Sequence, residues 1–285
     1  MRESVIVSVA RTAIGKAFRG AFNDTEAPAL SGFAAAQALA RSGLDPARIE
    51  DVVIGASAQQ GTQGYNIGRL TAAAAGLPVT VPGMAVDRMC SSGLMALAIA
   101  SNFIEREGME AVIAGGVESI SLTQTKHKNT YRNVSQAVVA RMPHMYMPMI
   151  ETAELVATRY GISREAQDEF ALQSQLRTAA ADAAGRFAAE IVPMPSRMVL
   201  TDRETGAVSH QDVILARDEG FRGATTLEGL RALKPVYKDG AMVREGQFIT
   251  AGNSSQLSDG AAALVVVDAA LATREGMSPM GALRG

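Results

Sequence analysis

The sequence predicts an α/β fold: a layered α/β domain that is interrupted by an insertion and then completed. Three observations carry this reading. Short apolar runs of strand length recur at 5–9, 51–55, 111–114 and 261–268. Alanine-rich stretches with helical spacing alternate with the first three. After Ser121 the texture changes: 122–150 holds no Asp or Glu, but carries Lys126, Lys128, Arg132 and Arg141 and the close-set Met142, Met145, Met147 and Met149.

In chain order, 5–9 reads as a buried strand and 11–20 as a Gly-punctuated loop. Residues 30–42 form a helix ended near Gly43, and 51–55 a second strand. A helix over 66–75 is stopped by Gly76 and Pro78, and 83–89 alternates as a strand. Residues 91–107 read as a long apolar helix, and 111–114 as a strand that meets Gly115-Gly116. This alternation predicts a largely parallel sheet. The stretch 122–150 is an inserted excursion rather than another βα unit. Two helices follow at 151–160 and 163–184, where Ser163 fits an N-cap, Glu165 suits the first turn and Gly185 a C-terminal stop. Residues 191–215 form a hairpin region around 202–206, and 218–239 is loop and helix. The strand texture resumes at 261–268, with a short helix to Gly276.

A hydrophobic fraction of 47% against 20% charged residues supplies a sizeable core over 285 residues. The net charge of −2 gives no global field for nucleic acid or an anionic membrane. No apolar stretch is long enough to span a bilayer, and the N-terminus lacks a signal-peptide core. A single cysteine excludes an intrachain disulfide and a multi-Cys metal site, and makes a reducing compartment, taken as cytoplasmic, the expectation. His127, His144 and His210 are isolated and form no metal-ligand or Ser-His-Asp pattern.

Cys90 lies where a strand hands over to a helix. A thiol there sees the positive end of the helix dipole and free backbone N–H groups, which favour the nucleophilic thiolate. The other reading is a buried small hydrophobe on an apolar helix. Gly115-Gly116 after a buried strand fits a close approach of backbone or ligand, or an ordinary strand-to-loop turn. Residues 250–255 and 258–262 form a small-residue loop that offers hydroxyls and close backbone, or a well-made turn. The acid-free stretch suits phosphates or is a solvated basic loop, and the methionines form a deformable wall or core filler.

Four segments together resemble the thiolase family in order and spacing, over essentially the whole chain. They are Asp87-Arg88-Met89-Cys90-Ser91-Ser92-Gly93-Leu94, Gly115-Gly116-Val117-Glu118-Ser119, Gly161-Ile162-Ser163-Arg164-Glu165 with Gln167-Asp168-Glu169-Phe170-Ala171, and 250–262. The resemblance implies a layered thiolase-like fold whose N-terminal α/β half, 1–121 plus 243–270, carries an inserted loop domain, 122–242, that binds coenzyme A. Residues 271–285 then begin a C-terminal half missing from the sequence. It implies that Cys90 is the acyl-accepting nucleophile. Arg222 falls near the nucleotide end of coenzyme A, Ser255 with Ala251 and Gly252 along the pantetheine arm, and Met149 and Tyr237 line the same ligand. The implied activity is that of an acetyl-CoA C-acyltransferase of fatty acid metabolism, acting on acyl-CoA and coenzyme A as co-substrate. It carries no covalent cofactor and no metal, and is a homo-oligomeric dimer or tetramer in full-length form.

Two departures stand out. Short-chain, biosynthetic members often carry Met-His-Met-Gly where this chain has Met147-Pro148-Met149-Ile150, which tilts the expectation toward a broader ketoacyl-CoA thiolase. Members also continue into a half with a Gly-His-Pro segment and a second cysteine, so these residues alone are expected not to turn over. The alternative is a non-catalytic thiolase-like fragment that binds coenzyme A or a partner subunit. The fatty-acid-extending condensing enzymes are a weaker third, because 250–262 and the insertion fit thiolase better.

Overall fold

The computed structural model of the chain describes residues 2–284. In chain order its elements are β1 (Ser4–Arg11), β2 (Gly15–Lys16), α1 (Ala27–Ser42), β3 (Asp51–Gly55), α2 (Ile67–Ala74), β4 (Met84–Val86) and α3 (Ser92–Asn102). There follow β5 (Ala111–Ser119), α4 (Ile120–Thr123), α5 (Gln136–Arg141), α6 (Met149–Tyr160) and α7 (Arg164–Ala183). The last are β6 (Met194–Thr201), β7 (Val208–Leu215), α8 (Leu227–Arg231), β8 (Ser258–Asp268) and α9 (Ala269–Arg274). They form two compact units: an α/β unit of Met1–Lys128, Ala188–Gly220 and Leu257–Gly285, and a helical unit of Asn129–Phe187 and Phe221–Gln256.

In the α/β unit the sheet runs β1-β8-β5-β3-β4, with β2 also on β8. β5, β3 and β4 are parallel, but β8 is antiparallel to both β1 and β5. The sheet is therefore mixed rather than largely parallel. An apolar run reports that a strand is buried, not which way it points. β5 shows the burial on both faces. Val112 and Ala114 join Ala96, Ala100 and Ile104 beneath α3 in one core with Val53 and Val266. The alternate residues Ala111 and Ile113, equally buried, take the other face, and α1 lies against β1, β5 and β8.

Two elements differ from the expectation. β5 runs on through Gly115 and Gly116 to Ser119, so these glycines sit inside a strand and not in a turn. A Cβ on Gly115 would lie 2.4 Å from the Ala262 carbonyl oxygen of β8, so only glycine lets the strands pair there. The apolar helix of 91–107 is regular only to Asn102 and continues as a π-helical turn over Phe103–Glu107.

The bounds of the units also differ from those read in the sequence. The β6–β7 hairpin, expected in the insertion, is held on the α/β unit. The Arg11 N–H donates to the Glu190 carbonyl (3.0 Å), the Val192 N–H to the Arg11 carbonyl (2.9 Å), and the Arg11 guanidinium forks onto Asp218 (2.8 and 3.0 Å). Residues 243–256, expected in the α/β domain, are instead pinned by carboxylates of α6 and α7 in the helical unit. Residues 271–281, expected to open a further domain, are seated on β1: Leu271 and Ala272 are buried, and the Ile6 N–H donates to the Gly281 carbonyl (2.8 Å). Within the helical unit, Ser163 caps α7 as read, accepting from the Ala166 N–H (3.1 Å).

Candidate active site

The turn from β4 into α3 sets the position of Cys90. The Met89 N–H donates to the Asp87 carboxylate (2.8 Å). The Ser92 hydroxyl, buried at the first position of α3, accepts from the Arg88 N–H (2.8 Å) and donates to the Met89 carbonyl (2.6 Å). These bonds hold Met89 in the left-handed region at φ +50°, a conformation that costs a side-chain-bearing residue about 1–2 kcal/mol. The next residue, Cys90, is thrown outward and is exposed. The reading of Cys90 as a buried hydrophobe does not hold.

Glycines let the helix start reach the sheet. A Cβ on Gly55 would lie 2.2 Å from the Ser92 carbonyl carbon, and one on Gly116 would lie 3.3 Å from Gly93 Cα. The ends of β3 and β5 thus form a seat for the first turn of α3. No acidic residue lies in that turn. Around Cys90 the exposed residues are mixed: the apolar Met89 (70%) and Leu94 (65%) beside the polar Asp87, Arg88 and Ser91.

The other proposed site residues all lie in the helical unit. Met149 is 77% exposed at the first position of α6. Two residues on, Glu151 is buried. It accepts from the Met242 N–H (2.7 Å), the Val243 N–H (3.0 Å) and the Tyr237 hydroxyl (2.7 Å). The Met242 and Val243 N–H groups, then the Tyr237 hydroxyl, pull the Glu151 pKa down, and the same carboxylate pushes the Tyr237 phenol up. One helical turn further, buried Glu154 accepts from the N–H groups of Gln247 (3.0 Å), Phe248 (3.2 Å) and Ile249 (2.8 Å). This segment leads into the turn that carries Ala251, Gly252 and Ser255.

That turn is built on Thr250, whose hydroxyl accepts from the Gly252 and Asn253 N–H groups (3.2 and 3.3 Å). The Asn253 amide accepts from the Thr250 N–H (2.7 Å) and donates to the Asp168 carboxylate of α7 (3.0 Å). Ala251 and Ser255 are exposed at its surface. Arg222 is exposed too. Its backbone N–H donates to Gln175 of α7 (2.6 Å), and among the described residues its guanidinium makes no ion pair.

Sequence reasoning missed Glu151, Glu154 and Gln175 as organising residues, and quoted Ser92, Asp168 and Asn253 only as parts of motifs. The one local signal was the i,i+4 spacing of Arg164 and Asp168, which do pair (2.8 Å). The methionine cluster is not core filler: Met142, Met145 and Met149 are exposed. Among the described residues no His, Cys, Asp or Glu cluster has metal-site geometry.

Residues 4–270 match the family described as "Thiolase, N-terminal domain". The chain is 39% identical to the 3-ketoacyl-CoA thiolase of Bacillus subtilis over 98% of its own length and 69% of that protein's. It is 38% identical to the peroxisomal 3-ketoacyl-CoA thiolase B of Mus musculus, covering 98% of itself and 63% of the relative. It is likewise 38% identical to the acetyl-CoA acetyltransferase of Cupriavidus necator, over 100% and 70%. With a match that takes in the turn at Cys90, the seat of α3 and the Thr250 turn alike, the chain belongs to the thiolase family.

Proposed function

We propose that the chain supplies the acyl-accepting thiol and the coenzyme A contacts of an acetyl-CoA C-acyltransferase. The observation that carries this is Cys90, the sole thiol, exposed on a fixed left-handed turn at the start of α3. In the proposed reaction the Cys90 thiolate attacks the 3-keto carbon of a 3-ketoacyl-CoA. The bond between C2 and C3 breaks, its electrons leaving with acetyl-CoA as the enolate, which takes up a proton at C2. The thiolate of a second coenzyme A then attacks the Cys90 thioester and releases the acyl-CoA and the Cys90 thiolate. Splitting the transfer at a thioester replaces one hard step by two easier ones. The reverse direction is a Claisen condensation. Arg222, Ala251, Gly252, Ser255, Met149 and Tyr237, all in the helical unit, hold coenzyme A. The proposed setting is cytoplasmic, with a homo-oligomer, dimer or tetramer, in the full-length form.

The test is incubation with an acyl-CoA and mass analysis. An acyl adduct on Cys90, absent from Cys90→Ala, is expected, and an unmodified Cys90 refutes the reading. A second reading, a non-catalytic module that binds coenzyme A or a partner subunit, is favoured by the uncovered apolar side of α3 at Leu94. The enolate needs an acid and the attacking thiol a base, and Cys90 cannot serve as its own partner. These 285 residues assayed alone with acetoacetyl-CoA and longer 3-ketoacyl-CoAs are therefore expected to acylate without steady turnover. Robust turnover abolished by Cys90→Ala would overturn that expectation.

A further inference from the structure

We propose that Gln175 and Asp168, on one face of α7, are positioning residues that set the register between Arg222 and the Thr250 turn. The inference rests on the reading that Arg222 and this turn contact coenzyme A. Arg164, Asp168 and Gln175 are spaced four and then seven residues apart, so they share a face of α7. Each holds a different part of the proposed site. Gln175 accepts the Arg222 backbone N–H (2.6 Å) and so fixes where that side chain leaves the chain. The Arg222 carbonyl is held in turn by the Thr225 hydroxyl (2.7 Å). Asp168, fully buried, receives the Asn253 amide (3.0 Å), which crosslinks the turn by accepting the Thr250 N–H (2.7 Å) and donating to the Phe248 carbonyl (2.9 Å). Arg164 completes the device. It pairs with Asp168 (2.8 Å) and donates to the Leu230 and Leu233 carbonyls (2.8 and 3.0 Å). Gly252 lies so close to those two leucine side chains that a Cβ would come within 2.5 Å of each.

A helix rises about 1.5 Å per residue, so Asp168 and Gln175 stand about 10 Å apart along a rigid rod. One element thus fixes the spacing between a cationic contact and a backbone contact. That suits a ligand with an anionic end and a long polar arm, and a loop without such a ruler would have to order on binding at an entropic cost. Gln175 and Asp168 touch no ligand themselves, and their effect on affinity runs through Arg222 and Asn253.

The experiment is calorimetry of coenzyme A binding to the full chain at several salt concentrations, with melting temperature measured alongside. Gln175→Ala removes the acceptor for the Arg222 N–H. It is expected to weaken binding about three- to tenfold and to flatten the salt dependence, because the guanidinium no longer meets the phosphate in register. Gln175→Glu keeps an acceptor oxygen for that N–H but adds a negative charge beside Arg222, and is expected to bind more tightly than Gln175→Ala and more weakly than the wild type. Asp168→Asn keeps the shape but loses the charge that faces Arg164, and is expected to weaken binding as well; should it fail to fold, the Gln175 pair decides. A purely structural role would lower the melting temperature and leave the salt slope alone. Wild-type affinity and salt slope in Gln175→Ala, beside weakened binding in Arg222→Ala, overturn the positioning role while the coenzyme A site stands. Wild-type binding by Arg222→Ala, or no binding by the wild type, removes the site and the inference with it.

Discussion

Replacing Gly55 with Ala tests whether the seat of α3 places the thiol. The added Cβ would lie 2.2 Å from the Ser92 carbonyl carbon, where ordinary contact begins at 3.4 Å. Its neighbours are the Ser92 carbonyl and the Gly93 nitrogen, all backbone, so no side chain can rotate away. The start of α3 must retreat by about 1.2 Å, and Cys90, two residues before the helix, moves with it. Overpacking of this kind costs about 1–3 kcal/mol, a fall of about 2–12 °C in melting temperature for a unit of this size. A misplacement near 1 Å can cost about 10²-fold in rate, to be read as the rate of acyl-adduct formation on Cys90. Gly116→Ala is the matched control: its Cβ meets Gly93 Cα at 3.3 Å, a shortfall the helix absorbs by a tenth of an ångström. Wild-type melting and acylation in Gly55→Ala, or equal damage in Gly116→Ala, would refute the reasoning.

Ser92→Ala strips the Arg88 N–H of its acceptor and the Met89 carbonyl of its donor at a buried position. The expected cost is about 1–3 kcal/mol, measured by thermal denaturation, and a variant that melts like the wild type would show that the turn does not depend on this hydroxyl. Glu151 predicts acid sensitivity. Its folded pKa lies below the ordinary carboxylate value, so its contribution is present above about pH 4.3 and is lost as pH falls through the lowered folded value. Melting of the helical unit, followed by far-ultraviolet circular dichroism, should drop on acidification, and drop less in Glu151→Gln. Identical pH profiles would remove Glu151 from the acid response.

Strand positions were legible in the sequence because burial on both faces leaves short unbroken apolar runs, as at Asp51–Gly55. The hairpin around 202–206 and the Ser163 cap were legible because turn and cap residues act locally. Direction and partner were not. Nothing in 258–268 says that the strand inserts antiparallel between β1 and β5, since both neighbours lie far off in sequence. The same blindness hid the carboxylates. Glu151, Glu154 and Asp168 are residue types that normally face water; N–H, amide and hydroxyl donors from distant segments, 237–253, converge on them, and only Asp168 has a local partner, Arg164. Cys90 was placed by its position before a helix, but its outward throw depends on the φ of Met89, which no spacing rule encodes.

The place of β8 in the sheet has a consequence for how the chain comes into being. β1 is made well before β8, yet β8 is its ladder partner, with Ser4 opposite Asp268. β5 likewise finds its second neighbour only there, with Ala111 opposite Val267. During synthesis the nascent chain carries β1 with its ladder unmade until nearly all of these residues have left the ribosome. Most of the helical unit has emerged by then. The insertion of β8 zips two waiting edges at once, across all the residues that separate β1 from β8, and such non-local pairing is slow and leaves strand edges open to other chains in the interval.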